Sequence, residues 1–369
     1  MSATPSKNRL LSIDALRGFD MLFISGGGTF ILLLNGKTGL SWVDAIANQL
    51  HHVPWHGFVF YDFIFPLFLF IAGVSMSFSL NKGLDNGLSK QALYKKVFIR
   101  MVLLILLGII FKNSPLNIFE PSQIRYGSVL GRIGIACFAA AVLYLNYPIK
   151  IRLFWIAGIL LSYYGILFLV PVPEYGAGDL SFEGNIVGWI DRLVMPGRLR
   201  DVTYDELAFF TQFPALCITV FGTIAGDILR NNDTGNKKTI TLLSAGALAV
   251  AVALIWNLHF PIGKPLWSSS FIMLTSGLGF IILSIFYWII DVKGYKKWAF
   301  FFKVIGMNSL TVYFAYSYIS FRYTSRKIFS GLYAPLPEQW HEVLEALGAW
   351  ALVWLFLYIL YKKGLFLKI

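Results

Sequence analysis

The stretch DFIFPLFLFIAGVSMSFSL, residues 62–80, decides the fold class of this chain. The 18 residues that follow Asp62 carry no charge, and a helix of about that length crosses the roughly 30 Å of hydrocarbon in a bilayer. The run is continuously apolar and does not alternate with polar residues, which favours a membrane helix over a strand of a membrane barrel. The stretch therefore predicts a membrane-spanning helix.

Nine further stretches resemble this one, so we expect an all-α, polytopic membrane protein with about 10 transmembrane helices. The composition agrees, because 57% of the residues are hydrophobic and only 14% are charged, against about 25% in soluble domains. The predicted spans are 18–36, 62–80, 96–111, 128–146, 151–170, 206–228, 239–257, 267–290, 299–320 and 343–361. The inner loops between them are too short for a separate soluble domain, which predicts a single transmembrane domain over 1–369.

The distribution of Lys and Arg predicts the orientation in the membrane. With the N-terminus placed in the cytoplasm, 19 of the 31 Lys and Arg residues fall on inner segments or at the inner ends of spans, and 10 fall on outer segments. Cytoplasmic loops carry such an excess, so both termini are predicted to be cytoplasmic. The net charge of +12 is spread between the apolar segments and does not gather on one face. No nucleic-acid partner is therefore expected.

Three of the five histidines crowd into the first outer loop, directly before the span at 62–80: His51, His52 and His56. A neutral imidazole at the mouth of a membrane helix could act as a general base, an acyl acceptor or a metal ligand. Asp62 is either a first-turn charge that stabilises the helix or the group that orients His52. No ligand pair has a helical or loop spacing, so no metal is expected.

Polar residues also interrupt the first and ninth spans. Asp14 and Arg17 are three residues apart, so they share a helical face and can pair. In a structural interpretation they form an interfacial anchor. In a functional interpretation they form a conformational lock or contact a cytoplasmic ligand. The triple glycine at 26–28 predicts a helix break or the close approach of a ligand. Asn308 and Ser309 are interpreted structurally as hydrogen-bonding groups between helices.

Two further features carry charge. Arg132 lies within the fourth span, at a cost of at least about 2.5 kcal/mol if it is unpaired. It is expected either to pair with an intramembrane acid such as Asp62 or to grip a phosphate. The outer loop at 171–205 is long enough to be a lid or binding loop, or it is a solvated connector. The charged residues in and beside this loop include Asp191, Arg192, Arg198, Arg200, Asp201, Asp205 and Glu206.

Three stretches, at 12–21, 52–73 and 125–132, carry a resemblance to a known family. Shorter pieces follow in order along nearly the whole chain, at 188–192, 204–206, 261–269, 291–294 and 306–309. Together they resemble the heparan-α-glucosaminide N-acetyltransferase family and its bacterial relatives. The resemblance implies a multi-pass enzyme that takes acetyl from cytoplasmic acetyl-CoA and delivers it to the amine of a terminal glucosamine across the membrane.

The resemblance also implies roles for particular residues. The family's active histidine maps onto His52, three residues before Trp55, and the acid of the motif maps onto Asp62. The family's asparagine before the triple glycine has no match, because 23–25 reads Phe-Ile-Ser here. The long luminal domain of the animal enzymes has no counterpart in this sequence either. The expected acceptor is therefore an amino or hydroxyl group of a bacterial sugar or glycan at the periplasmic face.

The remaining candidate residues are assigned either to acetyl-CoA or to the acceptor substrate. The expected acetyl-CoA contacts are Arg132, Asp14, Arg17, Asn308 and Ser309. The expected substrate contacts are Trp55, His56, Asp191, Arg192, Asp205, Glu206 and Trp267. The protein is placed in the bacterial inner membrane, with the lipid bilayer as a partner and a homodimer left open.

Two alternatives remain at this point. A sugar or small-solute transporter could use the same helices, since polar groups and broken helices within the membrane serve transport equally well. Within the enzyme interpretation, direct transfer and a route through an acetyl-histidine are both open.

Overall fold

The computed structural model describes residues 10–367, and its secondary structure is helical. Among these residues the β-type pairs are two isolated bridges, Val172 with Gly176 and Asp201 with Tyr204. The prediction of an all-α protein is therefore confirmed.

Fifteen α-helices lie within the described residues. They are α1 Leu11–Ile24, α2 Thr29–Leu32, α3 Ser41–Asn48, α4 Phe60–Asp85, α5 Lys90–Lys112, α6 Val129–Asn146, α7 Ile149–Leu169, α8 Ile186–Val194, α9 Gln212–Arg230, α10 Gly235–Trp256, α11 Ser269–Tyr287, α12 Ala299–Gly306, α13 Ser309–Tyr318, α14 Phe321–Tyr333 and α15 His341–Lys362. Short 3₁₀ turns lie at Pro121–Gln123 and Glu338–Trp340, and a π-helical turn at Trp288–Val292 extends α11.

Seven of these helices are long and apolar enough to cross a membrane: α4, α6, α7, α9, α10, α11 with its π-helical turn, and α15. They correspond to seven of the ten predicted spans, which makes this a multi-pass membrane protein. The sixth predicted span began too early, at 206. Its helix α9 starts at Gln212, because residues 206–211 form turns that hydrogen-bond to other parts of the chain.

The other three predicted spans have a different form. The first is broken, because α1 ends at Ile24 and α2 begins only after the triple glycine. The ninth breaks between α12 and α13, at 307–308. The third is one continuous helix, α5, whose early turns carry Lys95, Lys96 and Arg100. The count of about ten and the cytoplasmic termini stay predictions, and residues 1–9 and 368–369 lie outside the described range.

The described residues group into two compact units, each assembled from discontinuous segments. The terminal unit holds 10–53, 59–68 and 283–367, and the central unit holds 54–58 and 69–282. The single transmembrane domain over 1–369 stays a prediction.

In the terminal unit, α1 packs closely against α12 through two glycines. A Cβ added to Gly18 would lie 1.8 Å from the Phe302 carbonyl oxygen, and one added to Gly306 would lie 2.1 Å from that of Asp14. Both contacts are with backbone, so no side chain could fit there. Small residues that bring helix backbones together are typical of membrane helix packing.

In the central unit, an aromatic and aliphatic cluster supports the long loop at 171–205. Its buried members include Tyr163, Val187, Tyr204 and Phe260, and Trp55 packs against them. Because α8 within the loop contributes Val187 to this cluster, the loop is a packed element.

Candidate functional site

The loop between α3 and α4 and the start of α4 bring His52 and Asp62 together in the terminal unit. Nδ1 of His52 lies 2.6 Å from Oδ1 of Asp62. The Asp62 side chain is fully buried, whereas 49% of the His52 side chain is exposed. An ionised carboxylate accepts a hydrogen bond from the Nδ1–H, which favours the tautomer with its basic lone pair on Nε2, the form that suits a general base.

Local backbone contacts hold this pair in place. Asp62 lies in the first turn of α4, where the helix dipole favours a negative charge. Gln49 fixes the start of that helix, because its side-chain oxygen accepts the Phe60 N–H at 3.0 Å and its carbonyl accepts the Tyr61 N–H at 3.0 Å. The ring of Tyr61 then lies 4.7 Å from the ring of His52. The imidazole is therefore confined by a hydrogen bond and by an aromatic neighbour.

The loop residues Trp55 and His56, predicted as substrate contacts, belong to the central unit. The Trp55 indole N–H donates to the Leu180 carbonyl at 2.7 Å, and its ring packs against Phe182 and Tyr204. Partial burial lowers the pKa of His56, whose ring lies 6.2 Å from that of Trp55. Trp55 thus anchors the long loop with the one hydrogen-bond donor that its side chain has.

Asp191, on α8, organises the end of that loop. Its Oδ1 accepts the N–H groups of Phe209 at 3.0 Å and Phe210 at 2.9 Å. Its Oδ2 is buried and has no hydrogen-bond partner among the described residues. Burial raises the pKa of Asp191 to about 7, although the two backbone N–H groups act in the opposite direction. The carboxyl is therefore poised to exchange a proton near neutral pH.

A buried ion pair secures the same region. Asp205 receives two parallel hydrogen bonds from Arg125, of 2.6 and 2.7 Å. Its neighbour Glu206 pairs with Arg200 at 3.1 Å, and Arg192 donates to the Thr203 carbonyl at 2.7 Å. These predicted substrate contacts are engaged with Arg125 and with residues of the loop.

Arg132 lies fully buried in the first turn of α6. Its guanidinium donates to the Glu206 carbonyl and to the Thr211 hydroxyl, and more weakly to Gln212. It also stacks 4.4 Å from the ring centre of Trp267, which is itself fully buried. One nitrogen, Nη1, has no hydrogen-bond partner among the described residues.

The candidates for acetyl-CoA contacts in the terminal unit cluster at the crossing of α1 and α12. Arg17 and Asp14 lie 3.8 Å apart, as their spacing predicts. Asn308 lies directly before α13, with its Oδ1 buried and without a hydrogen-bond partner within the described chain, and Ser309 donates to the Gly306 carbonyl at 2.8 Å. The Gly306 contact with Asp14 joins these residues into one neighbourhood.

Sequence reasoning missed several members of these groups. Asp20 in α1 is fully buried, and neither of its carboxylate oxygens has a hydrogen-bond partner among residues 10–367. Asp291 accepts the N–H groups at the start of α1, at 3.3 and 3.1 Å. Asp20 could have been found from the sequence, because it is a charged residue inside an apolar run. Nothing in the sequence links Asp291 or Gln49 to the backbone groups that each of them binds. Within the described residues, no group of three or more His, Cys, Asp or Glu could hold a metal ion.

Comparison with known proteins identifies the family. Residues 9–261 match the family model described as heparan-alpha-glucosaminide N-acetyltransferase, catalytic. Proteins named heparan-alpha-glucosaminide N-acetyltransferase from Homo sapiens and Mus musculus are each 29% identical, over 100% and 99% of this chain. The chain spans 61% of the length of each of these curated relatives. Since the matched region covers well over half of the sequence, this chain belongs to the heparan-alpha-glucosaminide N-acetyltransferase catalytic family.

Proposed function

We propose that this protein transfers an acetyl group from acetyl-CoA to the amino group of a sugar, with His52 at the reacting centre. The observation that carries the proposal is the 2.6 Å contact between His52 Nδ1 and the buried Asp62 carboxylate, in a chain of an acetyltransferase family. A half-exposed imidazole with an orienting carboxylate is the arrangement that general-base and nucleophilic catalysis both need.

In direct transfer, Nε2 of His52 takes a proton from the sugar amine as its nitrogen attacks the thioester carbonyl. The C–N bond forms, the C–S bond breaks, and the imidazolium returns its proton to the departing CoA sulfur. In the two-step route, Nε2 attacks the thioester carbonyl, the C–S bond breaks, and the CoA thiolate leaves and takes a proton from solvent. The amine then attacks the acetyl group, the bond from Nε2 to the acetyl carbon breaks, and the freed Nε2 takes the proton of the amine and later returns it to solvent. In both routes Asp62 stabilises the positive charge that develops on the ring.

The neighbourhood of the α1–α12 crossing is our candidate for the donor site. Asp14, Arg17, Asn308 and Ser309 lie there, and the buried Asn308 oxygen leaves hydrogen-bonding capacity for a ligand. Arg132 remains a candidate for an anionic part of acetyl-CoA through Nη1, the nitrogen that its neighbours leave unused. The acidic and basic residues of the long loop remain candidates for the acceptor.

We place the protein in the bacterial inner membrane, with acetyl-CoA on the cytoplasmic side and the sugar at the periplasmic face. The excess of Lys and Arg on the inner segments supports this orientation. A group transfer across the bilayer explains why the reacting pair is built at the end of a membrane helix. Family membership favours this enzyme over a transporter on the same helices.

The proposal is tested with purified protein in proteoliposomes that contain radiolabelled acetyl-CoA, with glucosamine supplied outside. We expect labelled N-acetylglucosamine outside with the wild-type protein. His52→Ala should lower the rate by about 10²–10⁴-fold, the range that a general base typically contributes. The matched control is His51→Ala, which removes an adjacent imidazole for which the structure shows no reacting role.

Two results would contradict the proposal. One is a wild-type protein that moves unmodified glucosamine across the membrane without acetylating it, which would support transport. The other is a folded His52→Ala protein that turns over at close to the wild-type rate. A melting temperature measured in detergent for each variant separates loss of chemistry from loss of folding.

A further inference from the structure

The terminal unit contains a cavity of about 190 Å³ to which the proposed function has so far assigned no ligand. It lies between the break after α1, the junction of α13 with α14, and the middle of α15. Its wall includes Gly26, Thr29, Tyr316, Arg322, Ala346 and Trp350. Ligand pockets for drug-sized molecules are roughly 300–1,000 Å³, so this cavity has room for a single small ring.

Two aromatic side chains approach the triple glycine closely at this cavity. A Cβ added to Gly26 would lie 2.2 Å from the Tyr316 hydroxyl, and one added to Gly27 would lie 2.5 Å from the indole nitrogen of Trp350. Gly26 also has a φ of +79°, which disfavours any residue with a side chain. The glycines therefore give Tyr316 and Trp350 their positions in the wall.

The wall combines apolar faces with unused polar groups. The Trp350 indole nitrogen is buried and has no hydrogen-bond partner among the described residues, while Phe301 packs against its ring at 5.5 Å. Thr29 and Tyr316 bring hydroxyl groups to the same wall. Aromatic side chains that carry a polar handle suit a ligand with both an apolar face and hydroxyl groups, which is the chemistry of a sugar ring.

The charge at the cavity favours an anion. Arg322 and Arg326 both donate to the buried Glu345 carboxylate, at 2.9 and 2.7 Å. Two guanidinium groups thus share one carboxylate, which leaves one positive charge in excess. Arg322 lines the cavity and Arg326 does not. Arg322 donates to Glu345 through Nε, and no hydrogen bond from its two terminal nitrogens to Glu345 is seen among the described residues. These nitrogens can therefore bind a phosphate or carboxylate.

The cavity adjoins the His52 loop within the same unit. Tyr316 is a neighbour of Tyr61, whose ring lies 4.7 Å from the ring of His52. Next to Gly26, Gly28 packs toward Leu50, with 3.3 Å between its Cβ position and Leu50 Cδ1. A ligand in this cavity would therefore lie beside the residues that position the imidazole.

We propose that this cavity binds the acceptor as a single amino-sugar ring that bears an anionic substituent. The ring lies between Tyr316 and Trp350, and the anion meets Arg322. This inference rests on the proposed function for the statement that the ligand is the acceptor. The selectivity of the cavity for one sugar over another does not depend on the proposed function, and it can be measured as a difference in binding affinity.

The test is calorimetry on the full-length protein without acetyl-CoA, using glucosamine 6-phosphate and glucosamine as probes. We expect the wild-type protein to bind the phosphosugar at least tenfold more tightly. Arg322→Gln should abolish that preference. Arg326→Gln is the matched control, since it removes the same charge from the same carboxylate but leaves the Arg322 terminal nitrogens at the cavity. It should keep a preference for the phosphosugar, smaller than that of the wild-type protein because the excess positive charge is gone.

Two further variants test the volume and the wall. Ala346→Phe fills the cavity, and Tyr316→Ala removes a half-exposed side chain whose loss is compatible with folding. Each should weaken binding of both sugars at least tenfold, while the affinity for acetyl-CoA stays within twofold in all folded variants.

Equal binding of the two sugars by the wild-type protein would overturn the proposal, as would sugar affinity that survives both Ala346→Phe and Tyr316→Ala. Weaker acetyl-CoA binding in Arg322→Gln would also overturn it, because the cavity would then belong to the donor. Absence of acetyl transfer with sugar selectivity intact would instead contradict the proposed function alone.

Discussion

The His52–Asp62 pair in the terminal unit and the Arg125–Asp205 pair in the central unit have the same contact distance and different consequences. In each, a nitrogen lies 2.6 Å from a buried carboxylate. The Arg125 side chain is 6% exposed and gives two donors to Asp205, whereas the His52 side chain is 49% exposed. A short ionic contact does not by itself indicate function. The exposure of the side chain that meets the carboxylate makes the difference.

The groups under the long loop show an intermediate case. Asp191 and Arg132 are fully buried, yet each keeps one side-chain atom without a hydrogen-bond partner among the described residues. A buried polar atom in that condition costs about 1–3 kcal/mol. Such a cost is accepted where a ligand, a proton or water completes the group. These two residues therefore combine a structural contact with remaining chemical capacity.

The largest effect on stability should follow from breaking the Arg125–Asp205 pair. Asp205→Ala leaves a buried guanidinium without its carboxylate, and removal of one partner of a buried pair costs about 3–5 kcal/mol. We expect a large fall in melting temperature in detergent. The double variant Arg125→Met with Asp205→Leu should recover part of that loss, because neither charge remains. Equal stability of Asp205→Ala and the wild-type protein would show that the pair does not hold the loop.

A smaller and pH-dependent effect should distinguish Asp191. Because burial raises its pKa to about 7, the folded state binds a proton that the unfolded chain releases near pH ~4. The contribution of Asp191 to stability should therefore fall as the pH rises from about 4 to about 7, by at most ~1.4 kcal/mol per pH unit. Asp191→Asn lacks this ionisation. The difference between its melting temperature and that of the wild-type protein should therefore shift in favour of the variant as the pH rises across this range. Parallel curves would contradict the assigned burial effect.

The smallest effect concerns Asp62 and appears in the rate. Asp62→Asn keeps the shape but removes the negative charge that faces the imidazole, and a hydrogen bond to a charged group is worth about 1.5–3 kcal/mol. We expect acetyl transfer to fall roughly 10- to 100-fold, less than for His52→Ala. A rate as low as that of His52→Ala would mean that Asp62 sets the protonation of the ring in addition to its orientation.

Much of the fold follows from the local sequence alone. Uninterrupted apolar runs predicted all seven helices that are long and apolar enough to cross a membrane, because hydrophobic length is a property of each segment by itself. The break at the triple glycine was also readable, since glycine weakens a helix wherever it stands. Recognition of the family, and of His52 and Asp62 within it, came from the order of short motifs along the chain.

The polar contacts were decided only by the tertiary structure. Asp62 could have been a helix-end charge alone, yet the loop folds back to bring His52 against it. Arg125 pairs with a carboxylate 80 positions away, and the cavity wall joins Gly26 to Arg322 and Trp350. The apolar pattern of a sequence predicts which residues are buried. It does not predict which of several acidic side chains will pair with a buried cation. That choice depends on the packing of helices distant in sequence, because a buried charge must take its partner from whatever lies within hydrogen-bonding distance.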